Sequence, residues 1–174
     1  MPNPVPEKLI NFRVYLDGTD LLGIADCELP DLEWMTETIS GAGIAGEVDS
    51  PVLGHFQSMV LRLKWRVMTE NAAVLAKSKA HQLDLRGAIQ QYDAGAGEYK
   101  NYPLKVVVKA VPKKVGIGKL EVGKPQDNES EFEVNYLKVW VDGKEKIEID
   151  KYNFIAMVDG EDYLADVRSN LGLG

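Results

Sequence analysis

Apolar and polar residues alternate along most of this chain, and a period of two predicts strands with one buried and one solvent-facing side. The clearest run is MVLRLKWRVM (Met59–Met68), where apolar positions 61, 63, 65 and 67 alternate with Arg or Lys. Taken as one strand from Phe56 to Met68, this segment would span roughly 40 Å, about twice the usual strand length. Further strands are predicted at Ala25–Leu29, Leu32–Ile39, His81–Asp93, Tyr102–Val111, Lys119–Val122 and Phe132–Val141.

Three Asp-Gly dipeptides interrupt or end these apolar runs, at Asp17-Gly18, Asp142-Gly143 and Asp159-Gly160. Because both central residues of a tight hairpin turn favour positive φ, each dipeptide predicts such a turn. The hydrophilic stretch Lys124–Glu131 predicts a surface loop.

Helical patterns are few. Thr69–Ala80 begins with a plausible N-cap, Thr69, and predicts one short helix. In Gly160–Gly172, apolar residues at positions 164, 167 and 171 share a face and the last glycine serves as a C-terminal cap. The patterns together predict a mainly β protein with one or two helices.

Length and charge limit the possible classes of protein. The 174 residues favour a single domain, 1–174, and the net charge of −7 argues against a surface that grips nucleic acid. No apolar run approaches the ~18 residues that cross a bilayer, so no membrane insertion is expected. The start, MPNPVP, lacks the basic and apolar regions of a secretory signal, and residues 1–8 are interpreted as a stiff, extended arm.

The stretch ISGAGIAGEVDSPVLG (Ile39–Gly54) contains a match to the dinucleotide-binding pattern G-x-G-x-x-G. That chemistry requires a preceding buried strand and a helix that starts at the loop. Here the flanks are acidic and a proline follows at position 51, so nucleotide binding is disfavoured. We interpret residues 40–54 as a long loop between strands, of a length that is usually functional or disordered.

The remaining reactive residues do not form a catalytic pattern. His55 and His81 lack neighbours at metal-ligand spacing, and His55 with Ser58 lacks the context of a nucleophile. The single cysteine, Cys27, excludes a disulfide within the chain and fits a small buried residue better than a catalytic thiol. The acids of DGEDYLAD lack calcium-loop spacing. We therefore predict no catalytic, cofactor or metal site, and a protein that is not an enzyme.

The order of segments resembles a known family. The segments in order are a hairpin NFRVYLDGTDLLGIADCELPDLE, then SGAGIAGEVD, then the alternating strand, and finally NFIAMVDGEDYLADVRSNLGL. This order resembles the major tail tube proteins of contractile-tailed phages, the P2 tail tube family. Contractile bacteriocins use similar tubes. The resemblance runs from about Lys8 to Leu173, and the C-terminal stretch is its most specific part.

This resemblance implies a β-sandwich or barrel with one flanking helix and a short C-terminal helix. It also implies hexameric rings that stack into a tube, whose lumen lets DNA or ions pass. Long amphipathic strands fit such an assembly independently, because closing a sheet between subunits removes exposed strand edges. The implied partners are other copies of the chain, the tail sheath, and baseplate or tube-initiating and terminating proteins. The implied location is a virion tail or tail-like particle, assembled in the host cytoplasm.

Two sets of residues are expected to act in assembly. The long loop is expected to contact the neighbouring ring through Gly41, Gly43, Ile44, Gly46, Val48, Val52 and Leu53. An acidic lumen would repel phosphates, and its candidates on polar strand faces are Glu33, Glu37, Gln82, Asp84 and Gln90. Arg62, Lys64 and Arg66 would cancel that charge if they faced the same way. Two alternatives stay open: a ring protein of a related contractile secretion apparatus, and a monomeric β-sandwich binding module.

Overall fold

The structure is a computed structural model that describes residues 2–20 and 23–173. The first residue of the predicted arm, the last residue of the chain, and residues 21 and 22 of the first predicted hairpin lie outside this part. The described strands are β1 (Pro4–Leu16), β2 (Thr19–Asp20), β3 (Ile24–Glu28), β4 (Trp34–Ile39), β5 (Val48–Phe56), β6 (Val60–Trp65), β7 (His81–Asp93), β8 (Glu98–Val115), β9 (Asn128–Val141), β10 (Lys144–Asp150), β11 (Ile155–Val158) and β12 (Glu161–Asp162). The two described helices are α1 (Glu70–Val74) and α2 (Ala165–Asn170).

Ten of these strands form one antiparallel sheet that divides at β9. The main path runs β12-β11-β10-β9-β8-β7-β1-β2, and β6 joins it at β9 and carries β3. Along one edge of β9, residues Asn128–Glu133 pair with β6, whereas Tyr136–Val141 pair with β10. Asn135 is skipped in the pairing with β8, where Lys109 faces Tyr136 and Ala110 faces Val134. This bulge lets the two halves of the sheet diverge and enclose a core.

The core lies between the two halves. Alternate residues of β6, β7, β8 and β9 are buried there, because successive side chains of a strand point to opposite faces. The largest fully buried side chains include Trp65, Phe132, Met59, Leu61, Leu63 and Leu83. The mainly β class with two short helices is therefore confirmed.

Predictions that depend on local sequence agree with the structure. β7 has the predicted bounds, and each Asp-Gly dipeptide forms a turn with positive φ at both residues, for example 52° at Asp142 and 75° at Gly143. The helices are shorter than predicted: Thr69 caps α1 by accepting from the Ala72 N–H at 3.1 Å, but α1 ends at Val74. α2 likewise covers only Ala165–Asn170.

The predicted long strand from Phe56 to Met68 is wrong. β5 ends at Phe56 and β6 covers only Val60–Trp65, because the chain exchanges one strand partner for another between them. The Gln57 N–H donates to the Glu33 carbonyl at 2.7 Å, at the base of the β4–β5 pair. Two residues later the Met59 carbonyl accepts from the Val134 N–H of β9 at 2.8 Å. The long strands are instead β1, β7, β8 and β9, with 13, 13, 18 and 14 residues.

Four further predicted segments need correction. Lys119–Val122 is a loop without a strand partner among the described residues. The last residues of the predicted loop Lys124–Glu131, from Asn128 onwards, belong to β9. Of the predicted loop 40–54, only residues 40–47 connect strands, since Val48 to Gly54 belong to β5. The predicted arm is extended, but from Pro4 it is part of β1 and pairs with β7.

Asp93 fixes the start of β1 to the turn between β7 and β8. Its buried carboxylate accepts from the N–H groups of Asn3 at 2.9 Å, Gly95 at 3.0 Å and Ala96 at 3.2 Å, and from Lys100 Nζ at 3.3 Å. These donors, the Asn3 N–H first, lower the pKa of Asp93 to about 2. The charged form is therefore bound more tightly in the folded chain than in the unfolded one.

We predict a pH-dependent contribution of Asp93 to stability. Because its folded pKa is lowered, the contribution is fully present above the unfolded pKa of about 4 and is lost as pH falls through about 2. Asp93→Asn should lower the free energy of unfolding at pH 5 to 7, and the difference from wild type should shrink between about pH 4 and pH 2. Urea unfolding across this range measures it. Glu98→Gln, the same change on the exposed residue paired with Asp93, should show no such step.

Candidate assembly surfaces

β4 and β5 form a separate two-stranded hairpin that extends from the main sheet. The register pairs Ile39 with Val48 near the tip and Trp34 with Phe56 at the base. In the connection, Gly41, Gly43 and Gly46 have φ of 114°, 92° and 116°, and a Cβ on any of them would meet no atom within 4 Å. In the isolated chain, these glycines therefore allow the positive φ angles of the tip, and none of them is needed to make room for a neighbouring atom.

The base of the hairpin is fixed against the C-terminal part of the chain. The rings of Trp34 and Phe56 lie 5.1 Å apart between centroids, and Phe56 is buried. Gly54, with φ of 65°, lies so close to Leu164 that a Cβ there would be 2.6 Å from Leu164 Cδ2. Arg168 of α2 donates to the Phe154 carbonyl at 2.7 Å and pairs with Asp162, which holds this C-terminal part in place.

The hairpin surface is both apolar and acidic. The exposed apolar side chains are Trp34, Met35, Ile39, Ile44, Val48, Val52 and Leu53. Residues 31–54 contain five acids, Asp31, Glu33, Glu37, Glu47 and Asp49, and no Lys or Arg. All the residues expected to make an inter-ring contact therefore lie on this one hairpin, around its tip and along β5.

A second surface is the outward face of the main sheet. In β7, Leu83 and Leu85 point into the core, so the lumen candidates Gln82 and Asp84, together with Arg86, lie on the opposite face. The third candidate of this strand, Gln90, has the same parity and donates to Glu7 at 2.8 Å. Glu33 and Glu37 lie instead at the base and on a strand of the hairpin. The structure thus brings three of the five lumen candidates onto one sheet face, and places Glu37 on β4 and Glu33 just before it.

Cations and aromatic rings alternate on this outward face. Lys105 Nζ and Lys138 Nζ lie 4.9 and 5.1 Å from the centroid of the Trp140 ring. Lys109 Nζ lies 5.0 Å from the Tyr136 ring. Such contacts hold the ammonium groups against the sheet. Sequence reasoning missed this arrangement, although Tyr136, Lys138 and Trp140 at a spacing of two indicate a shared face.

Carboxylates pair with two cations of this face, Lys138 and Arg86. Lys138 Nζ lies 3.1 Å from Glu148 and 3.3 Å from Glu145, and the hydrogen bond to Glu148 raises the pKa of Lys138. Asp84 pairs with Arg86 at 2.9 Å. Since each of these acids has a cation beside it, the face carries interleaved charges and not a uniform sign.

Arg62 and Lys64 lie on a different strand, β6, which pairs with β9 and not with β7. Arg62 lies 3.3, 3.7 and 3.8 Å from Glu131, Glu129 and Glu28. Arg66 follows β6, and its carbonyl accepts from the Gln126 N–H at 2.7 Å. Arg62, Lys64 and Arg66, which would cancel the acidic charge of the lumen candidates if they lay beside them, therefore lie apart from the candidates on β7.

The residues considered for chemistry occupy structural positions. The segment after Gly46 continues into β5 and not into a helix. The glycine pattern therefore lacks the helix N-terminus that binds the pyrophosphate of a dinucleotide. His55 Nδ1 lies 2.7 Å from the Leu53 carbonyl, and buried His81 has Nε2 3.0 Å from the Lys77 carbonyl. Burial, with a smaller effect of Glu28, raises the pKa of the Cys27 thiol to about 12.

Two features are absent from the described residues. Within 2–20 and 23–173, no group of three or more His, Cys, Asp or Glu side chains is arranged to hold a metal ion. In the same part of the chain, no helix has the length and apolar character needed to span a membrane. The fold and these surfaces define a β-structured protein whose distinctive features are a projecting hairpin and long strands.

Comparisons with known proteins assign this fold to a family. Residues 6–172 match the family model of phage tail tube protein FII. The tail tube protein of Escherichia phage P2 is 30% identical, over 97% of this chain and 99% of that protein. The major tail tube protein of Serratia phage KSP20 is 26% identical, over 98% of each chain. The chain belongs to the phage tail tube protein FII family, and the resemblance found in the sequence is confirmed.

A solved structure supports the fold. The cryo-EM structure of the sheath/tube terminator of an extracellular contractile injection system (PVC), in its extended state, has a chain that matches with a TM-score of 0.56. The match covers 78% of this chain and 97% of that chain, at 13% sequence identity. It therefore indicates a shared fold.

We predict that Gly54 is the glycine whose replacement most weakens the base of the hairpin. Gly54→Ala combines a strained positive φ with a collision against Leu164, and should lower the free energy of unfolding by roughly 2 to 4 kcal/mol. Gly41→Ala has only the backbone strain and should cost about 1 kcal/mol. Thermal and urea unfolding measure both. Leu164→Ala should be less harmful in the Gly54→Ala background than in wild type, and additive effects would contradict the contact.

Proposed function

We propose that this chain is the structural subunit of the inner tube of a contractile phage tail or a phage-tail-like bacteriocin. In this proposal the copies form hexameric rings, the rings stack, and the lumen conducts DNA or ions. Membership of the tail tube family supports the class of protein. The role is structural and not catalytic. The tail sheath and the proteins that initiate and terminate the tube are the expected partners, with assembly in the host cytoplasm and residence in the virion tail or particle.

The observation that carries the lateral part of this proposal is the open edge of β1. β1 pairs with β7 along its length, whereas β2 pairs only with Tyr15 and Leu16 on the other edge. From Pro4 to Phe12 this second edge has no strand partner within the described residues. An edge of this length is a template for another strand, and closure into a ring removes it. Pro4 and Pro6 interrupt the row of donors, which limits uncontrolled pairing.

The β4–β5 hairpin supports the axial part of the proposal. In it, Gly41, Gly43, Ile44, Gly46, Val48, Val52 and Leu53 contact the neighbouring ring. The apolar members are exposed in the isolated chain, and contiguous exposed apolar residues mark interaction surfaces. Ordering the 40–47 connection costs roughly 1–2 kcal/mol per residue, so growth would require an existing end or a baseplate.

For the lumen we propose Glu33, Glu37, Gln82, Asp84 and Gln90 as lining residues. The three β7 residues share a sheet face with Lys105, Lys109 and Lys138. Because Lys138 and Arg86 already pair with carboxylates, their capacity to hold a passing phosphate is reduced. A high-resolution structure of the tube with a strongly basic inner surface would contradict this part of the proposal.

A tube of a related contractile injection or secretion apparatus is the second candidate. The fold similarity to the PVC terminator chain favours it. Electron microscopy of the purified protein discriminates the candidates. Long tubes support the tail proposal, isolated rings support the secretion apparatus, and a monomer at all concentrations, not extended by preformed tails, contradicts both.

We predict that shortening the hairpin abolishes stacking without unfolding the chain. Replacing residues 40–47 by an Asn-Gly turn keeps the Ile39–Val48 pair and fits the turn preferences of a two-residue hairpin. The core lies outside the hairpin, so thermal unfolding should change little, while tubes should disappear from electron micrographs and lateral rings should persist.

A matched pair of point variants controls for general surface changes. Ile44→Asp on the hairpin should also abolish tubes, because it adds a charge to the proposed contact. Val74→Asp on α1, where the native side chain is equally exposed at 38%, should leave tubes intact. Normal tubes from both the shortened hairpin and Ile44→Asp would show that the hairpin is not the stacking element.

A further inference from the structure

Beyond the end of β9, the main sheet narrows to three strands. β9 pairs with β8 only as far as Leu104, whereas β7 continues beside β8 to Glu98 and beside β1 to Pro4. The result is a three-stranded ribbon that consists of residues 4–12, 87–93 and 98–104. One edge of this ribbon belongs to β1 and the other to β8.

Both edges of the ribbon are free. Residues 98–102 of β8 have no strand partner on the side away from β7, within the part of the chain that the structure describes. Residues 4–12 of β1 likewise have no described partner on their outer side, since β2 pairs only with Tyr15 and Leu16. A free edge is a row of backbone donors and acceptors that another strand is able to satisfy.

The ribbon receives little cover from its own chain. Residues 4–11 and 98–101 are all exposed, with Val5 at 48% and Tyr99 at 68%. Val5 and Tyr99 both pair with Tyr92, so they lie at the same level on opposite edges. A neighbouring strand at either edge would therefore cover apolar surface and also satisfy backbone groups.

The two free edges cannot pair within one chain. β7 lies between them and separates them by two strand spacings, roughly 9.5 Å. A second copy is able to bring its β8 edge to the β1 edge of the first, and repetition of this contact closes a ring.

The β8 edge fits the β1 edge better than other strands do. Closure of a sheet joins the two edges of that same sheet. β3 lies on the other branch of the divided sheet, beyond β6, and β4 and β5 form a separate sheet. The β8 edge of the next copy is therefore favoured as the partner.

The strand directions determine how these edges meet. β1 and β8 are each antiparallel to β7, so they run parallel to each other. Rotation about the axis of a ring leaves the direction of a strand along that axis unchanged. β1 of one copy would therefore lie parallel to β8 of the next. Two β1 edges related by a two-fold axis perpendicular to the sheet would instead be antiparallel.

The lengths of the two edges limit the register. With no stagger, Tyr99 meets Val5 at the same level. Closure of a sheet staggers neighbouring strands, and a stagger of about two residues brings Tyr99 to Lys8, the next residue on that face of β1. Either register keeps all of residues 98–102 beside residues 4–12.

We propose that residues 4–12 of one copy pair in parallel with residues 98–102 of the next copy in the ring, with Tyr99 beside Val5 or Lys8. This inference rests on the proposed function, because it requires a ring. It adds to that function the identity of the two strands at the junction, their relative direction and their register.

Pairs of cysteines test the junction, in a Cys27→Ala background that removes the only native thiol. Tyr99→Cys is combined in one chain with Val5→Cys or with Lys8→Cys, and the assembled protein is oxidised with copper phenanthroline. One of these chains should give a ladder of cross-linked multimers on a non-reducing gel, because each copy then carries both halves of the junction. Chains with a single cysteine should give no ladder.

A second probe on β8 measures the strand direction. Asn101 follows Tyr99 by two residues and lies on the same face. In a parallel junction, the β1 position that cross-links best should shift to a later residue when Tyr99→Cys is replaced by Asn101→Cys. The expected shift is from Val5 to Lys8, or from Lys8 to Asn11. An antiparallel junction would shift it towards the start of β1 and would overturn the inference.

Tyr152→Cys is the matched control. This tyrosine is 78% exposed in the turn between β10 and β11, outside both edges. Combined with the same cysteines on β1, it should give no ladder. The substituted residues of β1 and β8 are exposed, so circular dichroism should show an unchanged fold.

The outcomes separate this inference from the proposed function. A disulfide dimer as the main product of a chain with one cysteine on β1 would show that two β1 edges pair with each other, and would overturn the inference. A ladder with Tyr152→Cys and none with Tyr99→Cys would also overturn it. Tubes in the microscope without a ladder from either Tyr99→Cys chain would overturn the inference and leave the proposed function standing. Failure of the wild-type chain to assemble under any condition would overturn both.

Discussion

The pairing of β9 with two successive partners along one edge is the constraint on which the fold depends. The Val134 N–H donates to the Met59 carbonyl, and one residue later the Asn135 carbonyl accepts from the Lys151 N–H. The sheet therefore divides between these two residues, and each half turns an apolar face towards the other. The β4–β5 hairpin comes directly before β6 in the chain, and β6 then joins β9. The position at which the sheet divides therefore also sets the point from which the hairpin projects.

The long strands extend beyond the core that the divided sheet encloses. β8 has 18 residues, and only its central part lies over the core. Leu104 and Val106, in the middle of β8, line an apolar cavity, and the last residue of β8, Val115, leads into the connection 116–126. Ile117, Leu120 and Val122 of this connection are exposed, and no strand or helix of the described residues covers them. In the proposed assembly, neighbouring copies would cover such residues.

Local features were predictable from the sequence, whereas features set by strand partners were not. The Asp-Gly turns and the bounds of β7 follow from nearby residues, because turn chemistry and alternation act over a few positions. The break after Phe56 depends on the distant strand β9, and Lys119–Val122 alternates like a strand but has no partner to pair with. The same limit applies to the lumen candidates. Alternation identified the polar face of β7 correctly, but only the register shows that Lys105 and Lys109 share it and that Glu37 lies on the hairpin.

Acidic and basic residues are concentrated in different segments of the chain, which the net charge alone does not show. Residues 31–54 contain five acids and no Lys or Arg, whereas residues 104–124 contain six lysines and one acid, Glu121. Two copies that met hairpin to hairpin would bring acids together, whereas Lys113, Lys119 and Lys124 already pair with carboxylates of their own chain. In the proposed assembly, a head-to-tail arrangement would avoid the repulsion between hairpins. Because exposed charges are screened within about 10 Å at 0.1 M salt, this repulsion would act only at short range, where the shape of the hairpin would also decide the fit.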